Sequence, residues 1–125
     1  MVWNIIFRYF NVYGERQPIR GQYAPVIGIF LRQHALGEPL TIVGDGNQRR
    51  DFVYVGDVVN ANILASIVDI DEELYGTVFN VGNGKNYSVN EIAKVICNNT
   101  TNIPSRIGES NLSLCNNEKL VKVLG

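Results

Sequence analysis

The side chains best suited to chemistry in this sequence are arginines at the ends of strand-like runs. Arg50 stands beside Arg49, after the Gly44-Asp45-Gly46 turn and at the entrance to Asp51-Phe52-Val53-Tyr54-Val55. Arg8 adjoins Asn11 at the end of a first aromatic and β-branched run, and Arg106 sits at the end of a third. A guanidinium is a rigid fork of donors that matches a pair of phosphate oxygens. Open α/β sheets bind ligands outside their strand ends, so such arginines can converge on one anion. Scattered, solvated surface arginines are the bland alternative.

Other chemistries find less support. Gly82-Asn83-Gly84 follows a strand-like run and precedes a helix, which invites a dinucleotide-fingerprint reading. The third fingerprint position is Tyr87 rather than Gly, and no acidic residue follows at the spacing that holds a ribose, so a plain turn is expected. The single histidine, His34, falls inside a proposed helix and reads as a surface or structural residue. It leaves little room for a histidine-based metal site or triad. No G-x-S-x-G elbow occurs. The two cysteines, Cys97 and Cys115, form neither a CxxC pair nor a disulfide framework, which fits idle thiols in a reducing cytoplasm.

The elements that must hold these residues follow from periodicity and turn chemistry. Residues 3–9 read as a strand running into a turn at Asn11-Val12-Tyr13-Gly14, and 14–25 as an irregular loop. The spacing from Val26 to Leu36, bounded by Pro25 and Gly37, predicts a short buried helix. Leu40 to Val43 and Asp51 to Val55 are expected strands, and Asp57 an N-cap for a helix from Val58 to about Val68. The acidic stretch 69–73 reads as a solvated loop, and Thr77 to Val81 as a buried strand. Ser88-Val89-Asn90-Glu91 is a capping box that opens a helix ending near Asn98. A polar linker over 98–104, a short strand from Ile103 to Ile107 and a helix from Asn117 to Leu124 closed by Gly125 complete the chain. This order is mixed α/β with parallel crossovers. The chain opens inside a strand and stops at a helix end, as a piece of a larger domain would.

Composition bounds the function. The 125 residues carry 11 basic and 12 acidic side chains, a formal charge of −1, so no nucleic-acid partner is expected. No apolar run approaches the ~20 residues of a membrane helix, and no secretory signal is visible.

Five ordered blocks then carry a family likeness. Arg8-Tyr9-Phe10-Asn11-Val12-Tyr13-Gly14-Glu15-Arg16-Gln17 resembles the RYFNVYGPRQ segment of the extended short-chain dehydrogenase/reductases, the NAD-dependent nucleotide-sugar epimerases and dehydratases. Tyr23-Ala24-Pro25-Val26-Ile27 is similar to YAxVIP, and Gly37 to Gly46 to GEPLTIYGDG. Arg50 to Val55 with Asp57-Val58-Val59 is similar to RDFVYVDDVV, and Phe79 to Gly84 to FNVGTG. The likeness implies the C-terminal part of a Rossmann-type NAD(P)-binding fold with its small α/β substrate-binding subdomain, an incomplete domain. Residues 1–14 would be the last Rossmann-region strand and turn, and 15–125 the substrate-binding region.

The same likeness implies site residues. Phe10 corresponds to a position near the nicotinamide of NAD, and Asn11 to the asparagine that binds the substrate diphosphate. Val26 corresponds to a main-chain contact to the nucleotide sugar, and Thr41, Ile42 and Val43 to the segment beside the base. Arg50 corresponds to a phosphate-binding arginine, and Arg106 with Glu109 to a pair holding phosphate and ribose. The implied partner is a nucleotide sugar of the UDP-sugar type, in an enzyme that forms homodimers at full length. Val43 replaces an aromatic residue, Gly28 a proline and Gly56 an acidic residue of the pattern. The cofactor fingerprint G-x-x-G-x-x-G is not in this sequence. Neither is the Tyr-x-x-x-Lys pair: Val81, Asn90, Cys115 and Glu118 stand four positions before the four lysines. The expectation is the nucleotide-sugar-binding half of such an enzyme; a non-catalytic binding module or a remnant are the alternatives.

Overall fold

The computed structural model describes residues 3–21, 24–105 and 114–125. The chain divides into two compact units: Met1–Gly14, Asp51–Lys85 and Leu114–Gly125 form the first, Glu15–Arg50 and Asn86–Ser113 the second.

In the first unit, β1 (Ile6–Tyr9) runs parallel to β6 (Val78–Val81), with Ile6 opposite Val78 and Tyr9 opposite Val81. A second parallel pair joins β2 (Asn11–Tyr13) to β5 (Phe52–Tyr54), with Asn11 opposite Phe52. The expected turn at 11–13 is therefore a strand: three residues of mixed polarity carry no alternation, and the ladder to β5 defines them. Helix α2 (Val55–Ile67) leaves β5 with no intervening loop, so Tyr54 takes the N-cap position. Asp57 is thus no cap; it lies in the first turn, where its carboxylate still complements the helix dipole. Val53, Val58, Ala61 and Val81 form the buried core, with Phe7, Val12 and Leu120 packed against it. The acidic stretch contains a single 3-10 turn, Glu72–Leu74. Helix α4 (Glu118–Leu124) ends at Gly125, whose φ of 85° suits the expected glycine cap and whose N–H reaches the Val121 carbonyl.

In the second unit, α1 (Val26–Ala35) follows Pro25 as expected and sends Phe30 into the core. It packs with β3 (Leu40–Val43) and α3 (Val89–Ile96); Phe30, Leu40, Ile42, Val89 and Ala93 are the buried cluster. Gly28 has its reason here: a Cβ would sit 2.3 Å from the Pro18 carbonyl oxygen, so the bare residue lets that loop close on the helix. The capping box is formed in full: Ser88 Oγ accepts from Glu91 N at 3.1 Å, and Glu91 Oε2 accepts from Ser88 N at 2.8 Å. A short antiparallel pair, β4 (Arg49–Arg50) with β7 (Tyr87–Ser88), leads into that cap. The last strand, β8 (Thr100–Ile103), lies parallel to β3 with Leu40 opposite Thr100. It falls within the expected linker and earlier than the expected strand at 103–107. All four of its side chains are exposed, so no apolar pattern announces it; pairing with β3 makes it a strand.

Candidate functional site

Asp51 is the only charged residue among the described side chains that is completely buried, and it organises the first unit. One carboxylate oxygen accepts from Asn83 N at 2.7 Å, the other from Gly84 N and Cys115 N, each at 3.0 Å. The Gly82-Asn83-Gly84 turn therefore does bind an anion, and the anion is the protein's own. Successive backbone amides in a turn make such a concavity, and this one is filled. Those amides do not fit a dinucleotide pyrophosphate as well, which agrees with the turn reading. Gly82 is required by the approach of Cys115, whose Cβ would stand 2.4 Å from a Cβ at position 82. Burial, and secondly the Asp51 carboxylate, push the Cys115 thiol up to about 11, so it is an inert thiol at neutral pH.

The main chain of Asp51 does a second job. Its carbonyl accepts from both Asn11 N and Asn11 Nδ2, each at 3.2 Å. Asn11 is thereby fixed at the start of β2, with one hydrogen of its side-chain amide committed and the other without a partner among the described residues. Phe10 precedes it, half-buried, its N–H bonded to the Val81 carbonyl at 3.0 Å. Asp51 was not singled out from the sequence. The available signal was a carboxylate opening an otherwise apolar strand, next to a Gly-x-Gly turn that lacks its fingerprint.

The first unit also holds a cavity of about 260 Å³ between α2, α4 and the ends of β5 and β6. Val53, Leu64, Val81 and Leu120 line its apolar side, and Asp57, Asn83 and Asn117 are polar residues on its wall. None of the described sequence-predicted site residues borders it.

The second unit contains Val26, Thr41, Ile42, Val43 and Arg50. Val26 opens α1 and packs against the core. Arg50 is half-buried in β4, and its Nη1 donates to the Arg49 carbonyl at 2.9 Å. Arg49 is committed to structure: Nε donates to Asn86 Oδ1 at 2.9 Å, Nη2 to the Asn86 carbonyl at 3.0 Å, and Glu91 lies 3.5 Å away. Arg8 belongs to the first unit, exposed in β1 opposite Asn80. Arg106 and Glu109 lie outside the described residues.

Strand β3 has two different edges. Leu40 N bonds the Asn99 carbonyl at 2.9 Å and Gly44 N the Ile103 carbonyl at 2.8 Å, so residues 40, 42 and 44 turn their peptide groups toward β8. Strand alternation turns those of Thr41 and Val43 the other way. Two glutamines sit on that outer edge. Gln33, buried on α1, accepts from Thr41 N at 3.1 Å and donates to Thr41 Oγ1 at 2.8 Å. Gln48 Nε2 donates to the Val43 carbonyl at 3.0 Å. Between them the Thr41 carbonyl and the Val43 N–H have no partner among the described residues, side by side as acceptor and donor.

Comparison with known proteins agrees with the sequence likeness. The model of the NAD dependent epimerase/dehydratase family matches residues 4–82. A putative UDP-glucose 4-epimerase of Methanocaldococcus jannaschii is 47% identical over 91 residues, which are 73% of this chain and 28% of that protein. The UDP-glucose 4-epimerase of Thermotoga maritima, solved with UDP-glucose, superposes with a TM-score of 0.85 at 36% identity, over 97% of this chain and 39% of the other. The enzyme of the same name from Thermus thermophilus, solved with NAD, gives 0.79 at 31%, over 94% and 39%. The chain thus spans well under half the length of these relatives, and its α/β elements correspond to part of their Rossmann-like fold. With 79 of its 125 residues inside the family match, the chain belongs to the NAD-dependent epimerase/dehydratase family.

Proposed function

We propose that this chain is the nucleotide-sugar-binding portion of an NAD-dependent nucleotide-sugar epimerase or dehydratase of the UDP-glucose 4-epimerase type. The observation that carries this reading is the outer edge of β3. A strand edge whose flanking groups are capped by Gln33 and Gln48, and whose central acceptor and donor are left over, suits the edge of a nucleobase. These are the residues, Thr41 to Val43, that the family likeness sets beside the base. Asn11 supports a diphosphate contact: its main chain and one amide hydrogen are anchored on Asp51, and the second hydrogen is available to an anionic oxygen. The likeness adds Arg50 and Arg106 for phosphate, Glu109 for the ribose diol, and the Val26 main chain for the nucleotide sugar.

NAD, when bound in the complete enzyme, supplies the hydride acceptor, and Phe10 is the position set near its nicotinamide. The sequence has no Tyr-x-x-x-Lys pair to move the proton. The chain by itself is therefore expected to bind a UDP-sugar and not to turn it over. Homodimer formation and a cytoplasmic setting belong to the proposal for the complete enzyme. A chain that binds nucleotide sugars and never performs the chemistry is the second reading, and it shares the same site.

The test is a thermal melt of the chain with UDP, UDP-glucose and NAD. Ligand at about 100 times Kd adds about 2.7 kcal/mol of apparent stability. At this length that is a rise in Tm of about 10 °C. A folded sample whose melt does not move with UDP or UDP-glucose refutes nucleotide-sugar binding. Epimerisation of UDP-glucose by the pure chain with NAD refutes the view that it lacks the chemistry.

A further inference from the structure

Between residues 10 and 11 the chain changes partners. Phe10 N–H bonds the Val81 carbonyl at the end of β6, and Asn11 N–H bonds the Asp51 carbonyl just before β5. The Asn11 side chain hangs from that same carbonyl, through Nδ2 at 3.2 Å. A carbonyl can only accept, so the carboxamide is oriented: its nitrogen faces Asp51 and its oxygen is turned away. The nitrogen carries a second hydrogen, and among the described residues nothing takes it. The residue that supplies the carbonyl is itself clamped. Asp51 is 0% exposed, and its carboxylate accepts from Asn83 N at 2.7 Å and from Gly84 N and Cys115 N at 3.0 Å. Side chain and main chain of one residue thus join the turn after β6, the segment at 115 and the start of β2.

We propose that Asp51 is a positioning residue for the nucleotide diphosphate: its clamped carboxylate fixes the carbonyl that aims the second Asn11 Nδ2 hydrogen at a phosphate oxygen. The inference rests on the diphosphate contact proposed above for Asn11. An unanchored asparagine must lose rotamer freedom, and settle which end of its amide to present, when an anion arrives. Here both are settled before binding. Tilting the Asp51 peptide drags on three charge-assisted bonds from two segments, which makes the anchor stiff. Coupling of this kind is reciprocal: if the clamp favours the diphosphate, the diphosphate must tighten the clamp by the same factor. Charge alone works the other way. A carboxylate repels a diphosphate, so a neutral residue at 51 would strengthen binding if charge were all that mattered.

The experiment has two parts, both on the 125-residue chain. Amide hydrogen exchange is followed by NMR with UDP and with uridine, each at the concentration that gives the same rise in Tm. Shared stabilisation then cancels, and only the diphosphate differs. The amides of Asn83, Gly84 and Cys115 are expected to slow at least about threefold more with UDP, while those of α2 slow equally with both. Isothermal titration then gives the ratio of the two dissociation constants in wild type, Asn11→Ala, Asp51→Asn and the double variant, with uridine read by its displacement of UDP. Asn11→Ala should cut the advantage of UDP about tenfold. Asp51→Asn should cut it at least about threefold, and the double variant no further than Asn11→Ala. A structural role alone weakens both ligands together and leaves the ratio as it is. Equal exchange with the two ligands overturns the proposal, and this arm decides if Asp51→Asn does not fold. An unchanged or raised ratio in folded Asp51→Asn overturns it as well. An unchanged ratio in Asn11→Ala overturns it together with the diphosphate contact, and leaves base recognition standing. No binding of either ligand overturns it together with the function proposed above.

Discussion

Asp51→Asn is the perturbation that most directly tests how the first unit is built. The replacement is isosteric, so packing is preserved and only charge and donor pattern change. In the native chain one oxygen takes Asn83 N and the other takes Gly84 N and Cys115 N. An asparagine keeps at best the oxygen that serves two amides. Those two bonds drop from charged to neutral, a loss of about 1 kcal/mol each, and the third amide faces an NH2 group, which costs about 1–3 kcal/mol more. The total is about 3–5 kcal/mol, a large share of the stability of a small domain. With an m-value of about 2 kcal/mol/M, the urea midpoint should fall by about 2 M. Native-state hydrogen exchange localises the cause: Asn83, Gly84 and Cys115 amides should lose protection before those of α3 do. A midpoint within about 0.3 M of wild type, with those three amides still protected, would show that the carboxylate does not hold the turn.

Four further outcomes follow from the same geometry. Gly82→Ala places a Cβ 2.4 Å from Cys115 Cβ and 2.8 Å from its sulfur, so the strand and the 115 segment must part; the melting temperature should drop by at least as much as for a buried cavity mutant, and differential scanning calorimetry reads it. Ser88→Ala removes one half of the capping box and should cost about 1 kcal/mol in denaturant melts, with Ser88→Asp largely restoring it. At about pH 8 iodoacetamide should modify the half-buried Cys97 and spare the buried Cys115 until the chain unfolds. Because the Cys115 pKa is raised from 9.0 to about 11, the folded state holds a proton that the unfolded state releases between those values, so stability falls as pH rises through that window; this dependence should be absent from Cys115→Ala and weakened in Asp51→Asn.

Elements with a local chemical signature were legible in the sequence. The capping box at Ser88 and Glu91, the Pro25-to-Gly37 helix and the Gly125 cap each depend on contacts within a few residues, and each stands where the sequence put it. Strands with an apolar run, at 40–43 and 78–81, were legible for the same reason. What escaped was set by distant pairing: β2 is held by β5, about forty positions away, and β8 by β3, about sixty positions away, and neither carries a pattern of its own. The site divides along the same line. Family words pointed to Asn11, Thr41 and Arg50, the residues the likeness turns toward a ligand. Asp51, Gln33 and Gln48, which hold Asn11, Thr41 and Val43 in place, are visible only once their partners are known.

Asp51 and Gln33 both escaped the sequence, and the fold demands them for different reasons. Asp51 spends a full charge in a place with no solvent, and three backbone amides from two segments are needed to stabilise it there. A buried, satisfied carboxylate tolerates neither a shorter side chain nor a neutral one, so its identity is dictated by the fold wherever that turn is kept. Gln33 stabilises no charge. Leucine or methionine would fill its volume on α1, and among the described residues the groups its amide bonds are the N–H and hydroxyl of Thr41. A polar side chain aimed at a strand edge that pairs with β8 on its other side satisfies a backbone donor that the ladder leaves over.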